Sequence, residues 1–513
     1  MKQELTTILQ RVYGYEQFRE GQLPIMTALV QGRDVLAILP TGGGKSLCFQ
    51  IPGLYLGGLT LVISPLISLM QDQVENLQRR GIKTTYINST LSPEQQQQRQ
   101  QDLLAGKYQF LYLAPEKLAS EKFQVWCRQL PIKLLAVDEA HCVSVWGHDF
   151  RPAYLRLRQA FAQLFGEQRP PIIALTATAN KKAQADIVRF VGLKQPLVRQ
   201  QSFARDNLKI CISECFNEHD KMLKLLYLLQ KHQGEIGIIY TLTRAKAVEL
   251  AELINLLLQP AKKVKVYHGG LDKVVRAQIQ QEFISGQTPV IVATNAFGMG
   301  VDQPHVRFVI HAQMSSNVEN YFQEIGRGGR DGQIAHAYAL VTATDWQISE
   351  QFITSNHQLS PQRKRILRQK LLQVKKLVWT RGCRQQWVLK CFDEKRPGWQ
   401  CGLCDRCCGY HFSYSVQVKK VHQLVWTWRK KLARRLQVLP NTLLPDVSVA
   451  YLCLVPWWRL QTLTVIPGLG KGFVESVWPL FQVWWQKYII ATIAGGNFDL
   501  TRKLDSVCSN NLS

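Results

Sequence analysis

Up to about residue 345 the chain alternates short runs of Val, Ile and Leu with longer stretches of helical period. Five runs come first, at Val35–Leu39, Leu61–Ser64, Phe110–Leu113, Leu134–Val137 and Ile172–Leu175. Five more follow at Ile236–Tyr240, Val264–Tyr267, Val290–Ala293, Phe308–Ile310 and Ala337–Val341. A strand written as one continuous apolar run is buried on both faces, and helices between such strands are the crossovers of a parallel sheet. The pattern predicts an α/β fold with two lobes, joined near Gln200–Asn207. Beyond residue 345 it turns to helix, cysteine cluster and helix. Ten of the thirteen tryptophans lie past residue 378, which marks the tail as a separate unit.

Composition narrows the class. At 513 residues the chain exceeds what one hydrophobic core supports, so three or four domains are expected. The longest apolar runs, such as Ala450–Trp458, fall short of the roughly 20 residues that cross a bilayer. No hydrophobic targeting segment opens the sequence, and a cytoplasmic protein is expected, with no membrane partner. The net charge of +26 favours a polyanion, nucleic acid above all. The basic residues are clustered: Arg363–Arg384 holds nine and no acid, and Lys419–Arg435 holds seven and no acid. Six of the thirteen cysteines crowd between Cys383 and Cys408, where a cytosolic chain would bind metal rather than form disulfides.

Two segments carry phosphate chemistry. Strand Val35–Leu39 runs into Pro40-Thr41-Gly42-Gly43-Gly44-Lys45-Ser46 and then a helix. Glycines let the backbone wrap a phosphate, and the N–H groups of a helix start point at it. Lys45 would reach the β and γ phosphates of ATP and the Ser46 hydroxyl would ligate Mg²⁺. The strict pattern has glycine where this chain has Leu39. Strand Leu134–Val137 ends in Asp138-Glu139-Ala140-His141. A carboxylate there suits Mg²⁺, and Glu139 can orient and deprotonate the attacking water. In the cysteine cluster, Cys401, Cys404 and Cys407 with Cys383 eighteen residues upstream suit tetrahedral structural Zn²⁺. Cys408 is an alternative to Cys407, and Cys391 reads as a core thiol.

Asp-Glu-Ala-His, the lysine loop and Thr176-Ala177-Thr178 resemble superfamily-2 helicases, and more narrowly the RecQ family. The narrower resemblance rests on Tyr13-Gly14-Tyr15, Phe18-Arg19-Glu20-Gly21-Gln22 and Trp146-Gly147-His148-Asp149-Phe150-Arg151. It implies two tandem RecA-like parallel-sheet lobes, then a zinc-binding helical module and a small all-α domain. The expected bounds are 1–202, 203–345, 346–410 and an HRDC-like unit at 420–488, with a loose tail at 489–513. Tyr15 is implied to stack on adenine, with Arg19 and Gln22 bonding to it. Trp146, His148, Phe150 and Arg151 are implied to meet single-stranded DNA, aromatic faces for bases and Arg151 for charge. In the second lobe Asp302 is implied to be the nucleotide-side carboxylate, Arg330 the arginine finger and Arg327 its neighbour. Val145, Gln303 and Gly328 depart from the usual Gln, Lys and Ala. Only about a dozen residues separate Cys408 from the next helical unit, so the winged helix of larger relatives is not expected.

The resemblance implies an ATP-dependent 3′→5′ DNA helicase that couples hydrolysis to translocation on single-stranded DNA and to unwinding of duplexes or junctions in recombination and repair. Single-strand-binding or other repair proteins are candidate partners. The alternative is a nucleotide-switched DNA-binding or strand-annealing protein with little unwinding. An RNA helicase is disfavoured, because the aromatic loop and zinc module resemble those of DNA-acting relatives.

Overall fold

The computed structural model describes residues 1–484 apart from 41, 66, 145–149, 259–260, 299–302, 411, 415, 455–462, 464, 470–474 and 476. The first sheet contains β1 (Val35–Ile38), β2 (Leu59–Ile63), β3 (Thr84–Ile87), β4 (Phe110–Leu113), β5 (Ile132–Val137), β6 (Ile172–Thr176) and β7 (Leu197–Gln200). Its order is β3-β4-β2-β5-β6-β1-β7, and every neighbouring pair is parallel. The second contains β8 (Leu208–Glu214), β9 (Ile236–Tyr240), β10 (Lys265–Tyr267), β11 (Val290–Ala293), β12 (Val306–His311) and β13 (Ala335–Val341), in the order β10-β11-β9-β12-β13-β8.

Alternate residues of the central strands feed two different cores. Leu36, Ile38, Leu61, Ile63, Leu135 and Val137 join one cluster, while Val35, Ala37, Val62, Leu134 and Ala136 join the other. Successive side chains of a strand point to opposite faces, so a sheet covered on both sides needs an unbroken apolar run. Three strands escaped that signal: β3, β7 and β8. Each lies at a sheet edge. β7 leaves three of its four residues exposed, and β8 mixes Lys209 and Ser213 into its apolar pattern. The connector 201–207 runs from β7 to β8.

A buried ion pair ties the start of β1 to that of β6. Arg169 donates from Nη1 to Asp34 Oδ1 at 2.9 Å and from Nη2 to Oδ2 at 2.5 Å, and Asp34 also accepts from the Ile172 and Lys194 amides. Asp34 is 4% exposed and Arg169 9%. Arg169→Ala would strand the carboxylate in the core, and a loss of roughly 3–5 kcal/mol in urea unfolding is expected. A change below about 1 kcal/mol would contradict this account of the pair.

The chain divides into two compact units. The first comprises Met1–Glu214, Glu235–Ala247 and Val266–His411, and so holds the first sheet, all of the second but Lys265, and the cysteine cluster. The second comprises Cys215–Gly234, Val248–Lys265 and the chain from Phe412 on. Its core gathers Leu223 and Leu226 of helix Glu218–Lys231, Val425, Trp428 and Leu432 of helix Val416–Arg435, and Trp478, Phe481 and Trp484. Trp484 is therefore a core residue; Trp457, Trp458, Trp485 and the tail 489–513 lie outside the described residues. Helix Val416–Arg435 begins eight positions after Cys408, too close for an intervening domain. No described helix is long and apolar enough to cross a membrane.

Candidate nucleotide site and zinc centre

Three adjacent strands of the first sheet, β5, β6 and β1, end side by side and deliver the phosphate-type chemistry. The loop after β1 is built for close approach. Gly42 and Gly44 have φ of +82° and +74°, and a Cβ on Gly44 would stand 2.4 Å from Gln22 Nε2. Lys45 folds back so that Nζ donates to Leu39 O at 3.3 Å. Burial lowers the Lys45 ammonium below its ordinary range, opposed by Glu139 and Asp138 and reinforced by Arg330. The Ser46 hydroxyl accepts from Gln73 Nε2 at 3.2 Å.

After β5, Asp138 is buried and Glu139 takes a left-handed backbone, φ 45°. That conformation is costly for a residue with a Cβ and tends to persist where function over-determines it. The Glu139 amide donates to Asp138 Oδ1 at 2.9 Å. Glu139 Oε2 lies 3.1 Å from His141 Nδ1, which is also 3.0 Å from Thr176 Oγ1 at the end of β6. Burial, and next the neighbouring Glu139, push the Asp138 carboxyl up to about 7. For Glu139 burial works in the same direction, but the His141 contact outweighs it and holds the carboxyl below its usual range. The two neighbouring carboxyls are thus pushed in opposite directions, the arrangement by which adjacent acids take different roles.

Arg327 and Arg330 follow helix Val318–Ile325 of the second lobe. Arg327 is 7% exposed and Nη1 donates to Gly298 O. Its charge acts on Glu139, and that of Arg330 acts on Lys45. A Cβ on Gly42 would lie 3.7 Å from Arg330 Cγ. Arginines of one lobe therefore stand against the lysine loop and the carboxylates of the other.

At the N-terminal element Tyr15 is 51% exposed. Arg19 Nη1 donates to Gly42 O. Gln22 is almost wholly buried; its Oε1 accepts from the Arg19 amide at 2.9 Å, and Nε2 donates to Gly43 O and Gly44 O at 3.3 and 3.2 Å. Both side chains thus brace the glycine loop itself, a contact that the sequence did not announce. Phe150 carries the Arg363 guanidinium 5.9 Å over its ring, so Phe150 meets the basic helix Pro361–Trp379. Arg151 Nη1 donates to Pro65 O. Thr41, Trp146, His148 and Asp302 lie outside the described residues.

The thiols of Cys383, Cys401, Cys404 and Cys407 all lie within 4.8 Å of one another. Cys407 Sγ is 3.5 Å from Cys404 Sγ and 3.8 Å from Cys401 Sγ. Four ligands at a Zn–S distance of about 2.3 Å in a tetrahedron stand about 3.8 Å apart, so the set fits zinc. Backbone amides support the sulfurs: Gln386 and Cys401 donate to Cys383 Sγ, Leu403 and Cys404 to Cys401 Sγ, and Arg384 to Cys404 Sγ. Such second-layer donors orient metal-binding thiolates. Cys408 is outside the cluster; its thiol donates to Gly402 O at 3.0 Å.

Three family models match along the chain: DEAD/DEAH box helicase over residues 19–187, helicase conserved C-terminal domain over 220–332, and RecQ zinc-binding over 343–408. The ATP-dependent DNA helicase RecQ of Bacillus subtilis (strain 168) is 38% identical over 411 residues, covering 80% of this chain and 68% of that protein. The chain belongs to the RecQ family. RecQ of Haemophilus influenzae is 39% identical, covering 78% of this chain and 63% of the relative, so this RecQ-family chain spans about two thirds of the length of such proteins. Among solved structures, Mycobacterium smegmatis helicase Lhr bound to ssDNA and AMP-PNP aligns with a TM-score of 0.54 over 69% of this chain and 49% of that one; at 20% identity it shows a shared fold.

Within this RecQ-family site, Gln73 is a residue that sequence reasoning missed. It links Ser46 to Tyr112 and Gln50: its Oε1 accepts from the Tyr112 hydroxyl at 3.1 Å and from Gln50 Nε2 at 3.4 Å. Nothing local separates it from Gln71; the phase of helix Ile67–Arg79 decides which glutamine faces the loop. The departure at Gly328 also has a packing consequence. A Cβ there would lie 3.1 Å from Ala335 Cβ, so the family's usual alanine needs a small local adjustment.

Proposed function

We propose that the chain is an ATP-driven 3′→5′ DNA translocase that unwinds duplexes and junctions in recombination and repair. The observation that carries this reading is the meeting of Lys45, Asp138 and Glu139 of one lobe with Arg327 and Arg330 of the other. Lys45 would hold the β and γ phosphates, Glu139 would align and deprotonate water, and Arg330 would neutralise charge developing on the γ-phosphate. Ser46 and Asp138 would hold Mg²⁺, which supplies positive charge to the phosphates and favours the ionised form of Asp138. Tyr15 would stack on adenine, and Arg19 and Gln22 would transmit its arrival to the loop they already brace. Phe150 and Arg151, with Arg363 behind them, would grip the strand, aided by Trp146 and His148. Lobes that close on nucleotide and reopen after hydrolysis, each gripping DNA, move stepwise.

On this reading the protein works in the cytoplasm on chromosomal DNA, beside single-strand-binding or other repair proteins, and the C-terminal helices form an HRDC-like accessory unit. A fluorescence unwinding assay on a 3′-tailed duplex tests the motor. ATP-dependent strand release is expected, and strand release or annealing that needs no hydrolysis would leave only a nucleotide-switched binder. Arg330→Ala is expected to lower DNA-stimulated ATP turnover by about 10³-fold while ATP still binds. A turnover within a factor of about three of the parent would remove Arg330 from that role.

A further inference from the structure

The connector 201–207 is held from two sides. On one side is the turn that carries the two arginines. Arg205 Nη1 donates to Gly326 O at 3.3 Å, and Nη2 donates to Gly328 O at 2.9 Å and Gly329 O at 3.4 Å. Asn207 Nδ2 adds bonds to Gly329 O at 2.7 Å and Gln333 O at 2.8 Å. A glycine-rich turn has little conformational preference of its own. A planar, permanently charged donor shared among three of its carbonyls is what gives it one.

The other side belongs to the zinc module. Helix Arg384–Cys391 starts at Cys383, whose sulfur caps it by accepting from the Gln386 amide. On its first turn Gln385, 4% exposed, grasps the backbone of Arg205. Its Oε1 accepts from the Arg205 amide at 3.1 Å, and Nε2 donates to Arg205 O at 2.8 Å and Leu208 O at 3.2 Å. Both main-chain groups of one residue are thus taken by one side-chain amide, as in a strand pair. The consequence is an unbroken series of direct bonds from a zinc-centre cysteine to the arginine turn. Arg205 needs such a hold, because its guanidinium lies in a largely buried site and feels the like charge of Arg330.

We propose that Gln385 is a positioning residue for ATP hydrolysis: by gripping the Arg205 backbone it aims the guanidinium that shapes the 326–330 turn, so the zinc module sets how Arg330 meets the nucleotide. This rests on Arg330 acting as the arginine finger. The module is then more than a fold support, since it acts on the chemical step of the motor. A displacement of about 1 Å in a charge-stabilising group can cost on the order of 10²-fold in rate, so a loosened turn is enough.

The test uses the full chain with saturating single-stranded DNA and compares Gln385→Ala, Arg205→Lys, the double variant and Arg330→Ala. The readouts are kcat and KM for ATP, zinc content and melting temperature. Gln385→Ala is expected to lower kcat about tenfold, with KM for ATP within about twofold, one zinc retained and melting close to the parent. Arg205→Lys is expected to fall similarly, and the double variant no further than the lower single one, because both break the same series of bonds. Parental kcat in Gln385→Ala, or additive losses in the double variant, would overturn the proposal. If Gln385→Ala loses zinc or melts early, Arg205→Lys decides: it leaves the module's own bonds intact, and a parental kcat there overturns the proposal. Parental turnover in Arg330→Ala would instead refute the finger reading on which the proposal rests.

Discussion

Lys45→Ala is expected to abolish DNA-stimulated ATP hydrolysis, a fall on the order of 10³-fold or more, while DNA affinity stays within about threefold. The ammonium is buried beside Asp138 and Glu139 and faces the glycine loop. Removing it takes away the charge that would meet the β and γ phosphates, and leaves the buried Asp138 and the partly buried Glu139 without that compensation. Asp138 would be pushed further towards its protonated form, so divalent-cation binding should suffer as well. Lys45 is not among the residues proposed to grip DNA, Phe150 and Arg151, which is why binding and hydrolysis should separate. Phosphate release and fluorescence anisotropy of a labelled strand measure the two. Parental phosphate release would show that Lys45 is not at the γ-phosphate, and the motor reading would fail with it.

The second large effect is expected from zinc removal. A structural zinc contributes an apparent 10–16 kcal/mol or so to small zinc folds, comparable with the entire stability of an ordinary domain. Cys404 is fully buried and its sulfur stands beside Cys407, so Cys404→Ser should release zinc and unfold the module. The damage would spread along identified bonds. Asp393 caps the Lys181 amide, Glu394 accepts from Ser202 Oγ and the Phe203 amide, and Arg384 pairs with Asp405, which accepts from Ile212. In a unit as large as Met1–Glu214, Glu235–Ala247 and Val266–His411, a loss of about 3 kcal/mol lowers the midpoint by roughly 4 °C. Thermal melting together with a zinc-release assay checks this. Cys408→Ser is the control and is expected to melt with the parent and keep its zinc; zinc loss there would reassign the fourth ligand.

Much of the fold was legible because its signals are local. Central strands of a doubly covered sheet must be apolar on both faces, so β1, β2, β4, β5 and β6 announce themselves as runs, as do β9, β11, β12 and β13. Edge strands obey no such rule, and β3, β7 and β8 stayed hidden. The phosphate loop was legible for a related reason: a cradle made from consecutive backbone amides has to be written in consecutive residues, with glycines at positions such as Gly42 and Gly44 where φ is positive. The cysteine spacing pointed to metal but left Cys407 and Cys408 as alternatives. The phase of the short helix Asp405–Cys408 turns one thiol into the cluster and the other towards Gly402.

By itself, then, the sequence determined the two-sheet α/β architecture, the glycine loop with its carboxylate pair, and a cysteine set suited to zinc. Each follows from residues adjacent or regularly spaced along the chain. Tertiary structure alone decided that Gln22 and Arg19 brace the glycine loop, that Gln73 holds Ser46, and that Gln385 reaches Arg205 across 180 residues. Such contacts have no local pattern, because a glutamine amide can serve any polar group that folding brings within reach. Their partners are chosen by helix phase and by which strands become neighbours.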